Sequence, residues 1–292
     1  FGIGALGYVF GLRGTFDFNM AMVLNKFVMF VAMPALGFQL LANAPLAEFN
    51  FAMLGGYFIT EVVMYATGFL IARRVFKTDV MEAALLGLAI ALTNHILFVL
   101  PIAVTLFGET AATPIVAIIS MDGILIFSGS LILMDVLSTK GASLGHTLGK
   151  IARNPPLVAM VLGLVVGLLG VSVPTGFGVF TDFLSATASP VLLFALGVIL
   201  SQKASGARAM LPVAITSVKL VVHPLLAWAI FAGVLQLTPE IRNPAMMVAA
   251  APCGAMCFML ALNYGVRVDA IARAILYSSI GSLITITVAA SL

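Results

Sequence analysis

Charge is what this sequence has least of. Asp, Glu, Lys and Arg make up 9% of its 292 residues, against roughly a quarter in ordinary soluble domains. That deficit excludes a soluble globular protein, and with it water-soluble enzymology and the reading of nucleic acid. Cysteine is nearly absent as well, with Cys253 and Cys257 the two in the chain. Four apart in an apolar run, they share one helix face, and two thiols are too few for a structural metal site, so they read as packing residues. Nor is any polar stretch long enough to form a domain of its own. What is left is 62% hydrophobic residues and a mean hydropathy of +1.19. These residues fall into apolar segments of about 20 that recur along the whole length. An all-α polytopic membrane protein is expected, not a domain with an anchor. The chain opens on Phe1 and not on Met, so further N-terminal sequence is expected to precede it.

Ten helices are predicted, near 1–14, 20–42, 50–74, 82–107, 112–137, 155–173, 177–202, 209–236, 243–265 and 268–292. The longest polar stretch, 138–154, holds three basic residues and ends at Pro155-Pro156, a natural helix start. Outside the helices, the odd-numbered connections carry ten Lys and Arg residues, and the even-numbered ones carry Arg242 alone. Lys and Arg collect on the cytoplasmic side of a membrane. The odd connections, including 138–154, are therefore expected to be cytoplasmic and both termini extracytoplasmic.

The two halves, 1–137 and 155–292, resemble each other. A shift of 156 lays LGYVFGLRG (6–14) on LGLVVGLLG (162–170) and Phe27, Pro34, Leu36 and Phe38 on Phe183, Pro190, Leu192 and Phe194. Twelve of the 33 positions from 6 to 38 are identical, where so narrow a composition gives roughly three or four by chance. Five spans per half is an odd number, so the second half enters the membrane from the opposite face. Two inverted five-helix repeats are a plan of secondary transporters, with the site near the midplane where the repeats meet.

Interrupted helices mark such sites, because a break exposes backbone donors and a partial positive charge at the start of the resumed helix. In the fourth span Asn94 stands seven residues before Pro101, with His95 beside it. In the ninth, its counterpart, Pro252, Cys253 and Gly254 fall mid-span. Proline removes a donor and crowds the preceding turn, and glycine lets the chain leave helical geometry. A pair of ordinary kinks is the plain alternative. Ionisable groups inside spans are costly and are candidates by default: Glu61 in the third, Asp122 in the fifth, Lys219 and His223 in the eighth. A shift of 158 sets Glu61 opposite Lys219, which makes a structural ion pair the competing reading. Asp122 has no evident partner, which favours a proton, or a sodium ion, bound near it.

At these residues the chain resembles the auxin efflux carrier family, which includes plant PIN-FORMED carriers and bacterial malonate and malate permeases. The likeness is carried by NKFVMFVAMPALGF (25–38), NHILFVLP with the following LFGETAA, RNPPLVAMVLGLVVGL (153–168) and APCGAMCFMLALNYGV (251–266). It implies an elevator-type carrier. Helices 1, 2, 6 and 7 would form a scaffold, usually dimeric, and helices 3–5 and 8–10 a mobile transport domain. It also implies that Asn94 and the helix ends near Pro101 and Pro252 meet a substrate carboxylate. Two departures stand out. Tyr57 occupies the place of an acid found in plant members, with Glu61 one turn later, and Cys253 is not a residue typical of the family.

The expectation is a secondary carrier of small mono- or dicarboxylates in a bacterial inner membrane, without cofactor and driven by protons or sodium. A sodium-coupled carrier of larger, bile-acid-like acids is the neighbouring reading, and a non-transporting receptor on the same fold is the reading from another class. No span pairs a nucleophile with a base or carries a metal set such as H-E-x-x-H, so an enzyme is not expected.

Overall fold

Short polar side chains set where the helices begin. Asp17, Asn50 and Asp79 each turn a side-chain oxygen onto the backbone N–H three residues ahead, at 2.8–2.9 Å. Each satisfies a donor that the first helical turn leaves open. A computed structural model of the protein describes residues 2–95, 99–139, 144–202 and 209–291. Among them the regular structure is helical, and the one β element is an isolated bridge. The helices are α1 (Gly2–Leu12), α2 (Phe18–Ala42), α3 (Phe51–Val75), α4 (Val80–Ala91), α5 (Leu100–Phe107), α6 (Ala112–Ser138) and α7 (Leu144–Ala152). They continue with α8 (Pro155–Leu169), α9 (Thr175–Leu200), α10 (Met210–Val234), α11 (Pro239–Ala249), α12 (Met256–Asn263) and α13 (Asp269–Ala290). Six of them, α2, α3, α6, α9, α10 and α13, are long and apolar enough to cross a membrane. Helices α1, α4 and α8 are apolar but shorter.

The chain divides into two compact units. The first comprises 1–44, 123–205 and 258–272. In it α1 lies on α9, and α8 lies on α2. Both crossings are close enough to need glycine. A Cβ on Gly7 would strike the Phe194 backbone, and one on Gly163 would strike the Phe38 backbone. Without large side chains to fill the gap, backbone approach and van der Waals contact hold such helices together in lipid. Gln39 of α2 reaches the Gly178 carbonyl at 2.9 Å and the Thr181 hydroxyl on α9. The stretch 138–154, read from sequence as a polar loop, contains helix α7, and α8 starts at Pro155 as its two prolines require.

The second unit comprises 45–122, 206–257 and 273–292. Here α3 and α4 pack through Gly68 and Gly87, where a Cβ on Gly87 would come within 2.6 Å of the Tyr65 carbonyl. Helices α3 and α10 finish alike. Each closes in a wide π turn, Ile71–Val75 and Ala229–Val234, and then passes through a left-handed residue, Lys77 at φ 53° and Gln236 at φ 50°. A further π turn, Val218–Val222, lies inside α10 just before Pro224. Proline has no N–H to give back to the preceding turn, and the ladder widens there.

Candidate functional site

Two broken helices meet in the second unit. Helix α4 ends at Ala91, and Leu92 turns to extended geometry at ψ 135°. Helix α11 ends at Ala249, with Pro252–Gly254 non-helical beyond it. The freed segments pair antiparallel at Thr93 and Cys253. The Asn94 N–H donates to the Pro252 carbonyl at 3.2 Å, and the Gly254 N–H to the Leu92 carbonyl at 2.8 Å. Backbone groups that leave a helix in an apolar interior must be satisfied elsewhere, and here each break satisfies the other. Gly254 suits its place because a Cβ there would sit 3.1 Å from the Leu92 carbonyl oxygen. The α13 side chains brace the ninth-span break: the Cys253 N–H donates to Ser278 Oγ at 3.1 Å, and Thr285 Oγ1 donates to the Ala250 carbonyl at 2.6 Å. Cys253 and Cys257 form no disulfide and are fully buried, and Cys257 Sγ donates to the Gly254 carbonyl at 2.9 Å.

Polar side chains gather behind this bridge. Lys219, on the π turn of α10 and wholly buried, donates to Thr93 Oγ1 at 2.7 Å and to His223 Nδ1 at 2.9 Å. With Nδ1 accepting, the proton of neutral His223 belongs on Nε2, facing Thr60 Oγ1 at 3.4 Å, and the Thr60 hydroxyl donates to the Tyr57 carbonyl at 2.6 Å. The Tyr57 ring rests against His223 and stacks on Phe231. Asp122 opens the π turn of α6, and its Oδ2 lies 2.7 Å from His95 Nε2. The contact does not meet hydrogen-bond geometry. Glu61 is fully buried, its carboxyl lies within hydrogen-bonding reach of the Asp122 carboxyl, and the charges of Asp122 and Lys219 act on it.

Two sequence expectations change. Asp122, expected to have no evident partner, has His95 Nε2 within 2.7 Å of its Oδ2. Glu61 and Lys219 do lie within electrostatic reach, as the shift of 158 suggested, but Lys219 spends its hydrogen bonds on Thr93 and His223, and no short ion pair joins it to Glu61. Asn94 is half-buried, and its side chain makes no hydrogen bond to the described residues. Pro101 lies in the first turn of α5, and its side chain is outside the described residues. Thr93, Thr60 and Ser278 were not singled out from sequence. The signal was present for Thr93, a hydroxyl immediately before Asn94 at the break, and for Ser278, one of three serines inside an apolar helix.

Glu61, Asp122 and Lys219 are buried together in the second unit. Residues 1–290 match the family model for membrane transport proteins. The chain belongs to that family, the auxin efflux carriers. As a family member it is an integral membrane protein that transports a small-molecule substrate. It is similar to a Rhizobium meliloti protein named "Putative malonate transporter", 26% identical over 273 residues that cover 90% of this chain and 84% of the relative. It is also similar to an "Uncharacterized transporter" of Methanothermobacter thermautotrophicus, 25% identical over 284 residues, or 96% and 92% of the two chains.

Proposed function

We propose that this auxin efflux carrier family member is a proton-linked secondary carrier of small mono- or dicarboxylates, with malonate the first substrate to test. The observation that carries the reading is the bridge of the two broken helices with the unengaged Asn94 amide beside it. An amide donor beside exposed helix ends suits a carboxylate. His95, Pro101, Pro252, Cys253 and Gly254 complete the proposed substrate site. Malonate enters through the printed name of the Rhizobium relative. Protons are favoured over sodium because the Lys219 ammonium already stands beside Thr93 and within reach of Glu61 and Asp122, where a second fixed cation would be repelled.

We read α4–α5 and α11–α12 as the halves of two broken helices, which would give ten spans in two inverted repeats. Supporting this, Gly7 on Phe194 and Gly163 on Phe38 are the same contact exchanged between repeats, and α3 and α10 end in the same way. The first unit holds helices 1, 2, 6 and 7 of the proposed scaffold together with 123–137 of helix 5 and 258–272 of helices 9 and 10, and the second holds both breaks; an elevator with helices 3–5 and 8–10 as its mobile part belongs to the proposal. Dimerisation through that scaffold, a bacterial inner-membrane location and extracytoplasmic termini belong to the same proposal.

Uptake of radiolabelled malonate into proteoliposomes, with proton and sodium gradients imposed separately, tests it. Uptake driven by an inward proton gradient and indifferent to sodium is expected. Sodium-dependent uptake of bile-acid-like compounds without malonate uptake would replace the proposal with the neighbouring carrier reading, and binding without uptake would leave a receptor.

A further inference from the structure

A second polar cluster lies in the first unit, away from the bridge. Asp135, near the end of α6 and 1% exposed, is held by three donors: Lys150 Nζ at 3.0 Å, the Tyr264 hydroxyl at 2.7 Å and Asn154 Nδ2 at 3.2 Å. Lys150 also donates to Ser138 Oγ at 2.8 Å and stands over the Tyr264 ring. These side chains line a cavity of about 710 Å³ together with Arg153, His146, Met29 and Phe30. Carriage of the anion through the bridge uses none of them.

Three features say what would fill the cavity. The first is charge. Among the described residues Asp135 is the one acid in its lining and is already paired with Lys150, which leaves Arg153, exposed and with no side-chain partner among those residues, as an uncompensated positive charge. The second is an orphan. Asn154 Oδ1 is buried with no hydrogen-bond partner although its Nδ2 is fixed on Asp135, so the site calls for a ligand that brings a donor. The third is the rim. Phe30 lines the cavity and is 52% exposed. An exposed apolar side chain beside basic ones suits a ligand with both a charged head and an apolar tail. A soluble dicarboxylate has no use for that rim.

The geometry points to a binding site for an anionic phospholipid headgroup that also carries hydroxyls, with phosphatidylglycerol the fitting chemistry. Arg153 meets the phosphodiester, a headgroup hydroxyl donates to Asn154 Oδ1, and Phe30 borders the acyl chains. Lys150 is a positioning residue for α7, held by Asp135. This site is independent of the transported substrate, so it stands or falls apart from the function proposed above.

The test is native mass spectrometry of the full chain in detergent, titrated with dioleoylphosphatidylglycerol, with dioleoylphosphatidylcholine and with glycerol 3-phosphate, alongside its thermal unfolding. Phosphatidylglycerol is expected to bind about tenfold more tightly than phosphatidylcholine, and Arg153→Gln to erase that difference. Arg153 is exposed, so its replacement leaves the core intact. The pair Asp135→Asn with Lys150→Gln, which removes both charges together, is expected to weaken binding less than Arg153→Gln does. Equal binding of the two lipids, or a preference that survives Arg153→Gln, would overturn the proposal. So would Arg153-dependent binding of glycerol 3-phosphate with no lipid preference, which would make this a site for a soluble anion.

Discussion

Thr93→Val isolates the contact that ties the charge cluster to the bridge. Valine keeps the volume and the β-branch suited to extended backbone, so the pairing of Thr93 with Cys253 is retained while the oxygen that accepts from Lys219 at 2.7 Å is lost. Lys219 is completely buried and keeps His223 Nδ1 as its remaining close acceptor. A hydrogen bond to a charged group contributes about 1.5–3 kcal/mol, and a buried donor left unmade costs at the upper end of that range. Reversible unfolding in mixed detergent micelles should therefore show Thr93→Val destabilised by about 2 kcal/mol and Thr93→Ser close to the parent. Lys219→Met removes the ammonium that needs the oxygen, so adding Thr93→Val to it should cost little, a coupling of about 1 kcal/mol or more. Full additivity of the two substitutions, or a Thr93→Val protein as stable as the parent, would refute the idea that Thr93 solvates a buried charge.

Asn94→Ala should leave the protein folded and weaken malonate binding by roughly tenfold to a hundredfold, read by thermal-shift titration, since one charge-assisted hydrogen bond is lost; unchanged affinity removes Asn94 from the site. Asp122→Asn should abolish the dependence of uptake on the proton gradient with little loss of folded protein, and retention of the parental pH dependence would instead assign the proton to Glu61 or His95. Glu61→Gln should raise the cost of burying Lys219, lowering stability in a way that Lys219→Met partly restores, and a stable single variant would dissociate the two residues. With Cys253 and Cys257 replaced, a cysteine at Gly145 should resist an impermeant thiol reagent applied outside intact cells, whereas labelling there would reverse the proposed topology.

Local chemistry was the legible part of this molecule. The breaks could be read because proline and glycine act on the backbone within a turn, so Pro252 and Gly254 announce themselves wherever the chain goes. The proximity of Glu61 and Lys219 could be read because the repeat carries third-dimensional information into the sequence, position for position. His95 and Asp122 had no such aid. His95 lies in the fourth-span break and Asp122 at the start of the π turn of α6, and they are not repeat mates, so neither apolar periodicity nor the repeat records their meeting. Thr93 escaped notice because a hydroxyl is common and neutral, and its importance comes from the Lys219 ammonium that reaches it from α10. The Asp135 cluster was hidden for another reason: its carboxyl is neutralised by Lys150 from the stretch read as a loop.

The bridge at Thr93 and Cys253 also bears on how the protein is made. Its two strands belong to opposite halves of the chain, and neither can satisfy its freed amides and carbonyls alone. At about 5–20 residues per second, a ribosome needs on the order of ten seconds to pass from the first strand to the second. During that interval the first break is a nascent segment with unmet backbone polarity in or beside the bilayer, a natural client for an insertase or chaperone. Truncated or stalled products would keep that unmet polarity exposed, which gives membrane quality control a chemical cue for telling finished carriers from unfinished ones.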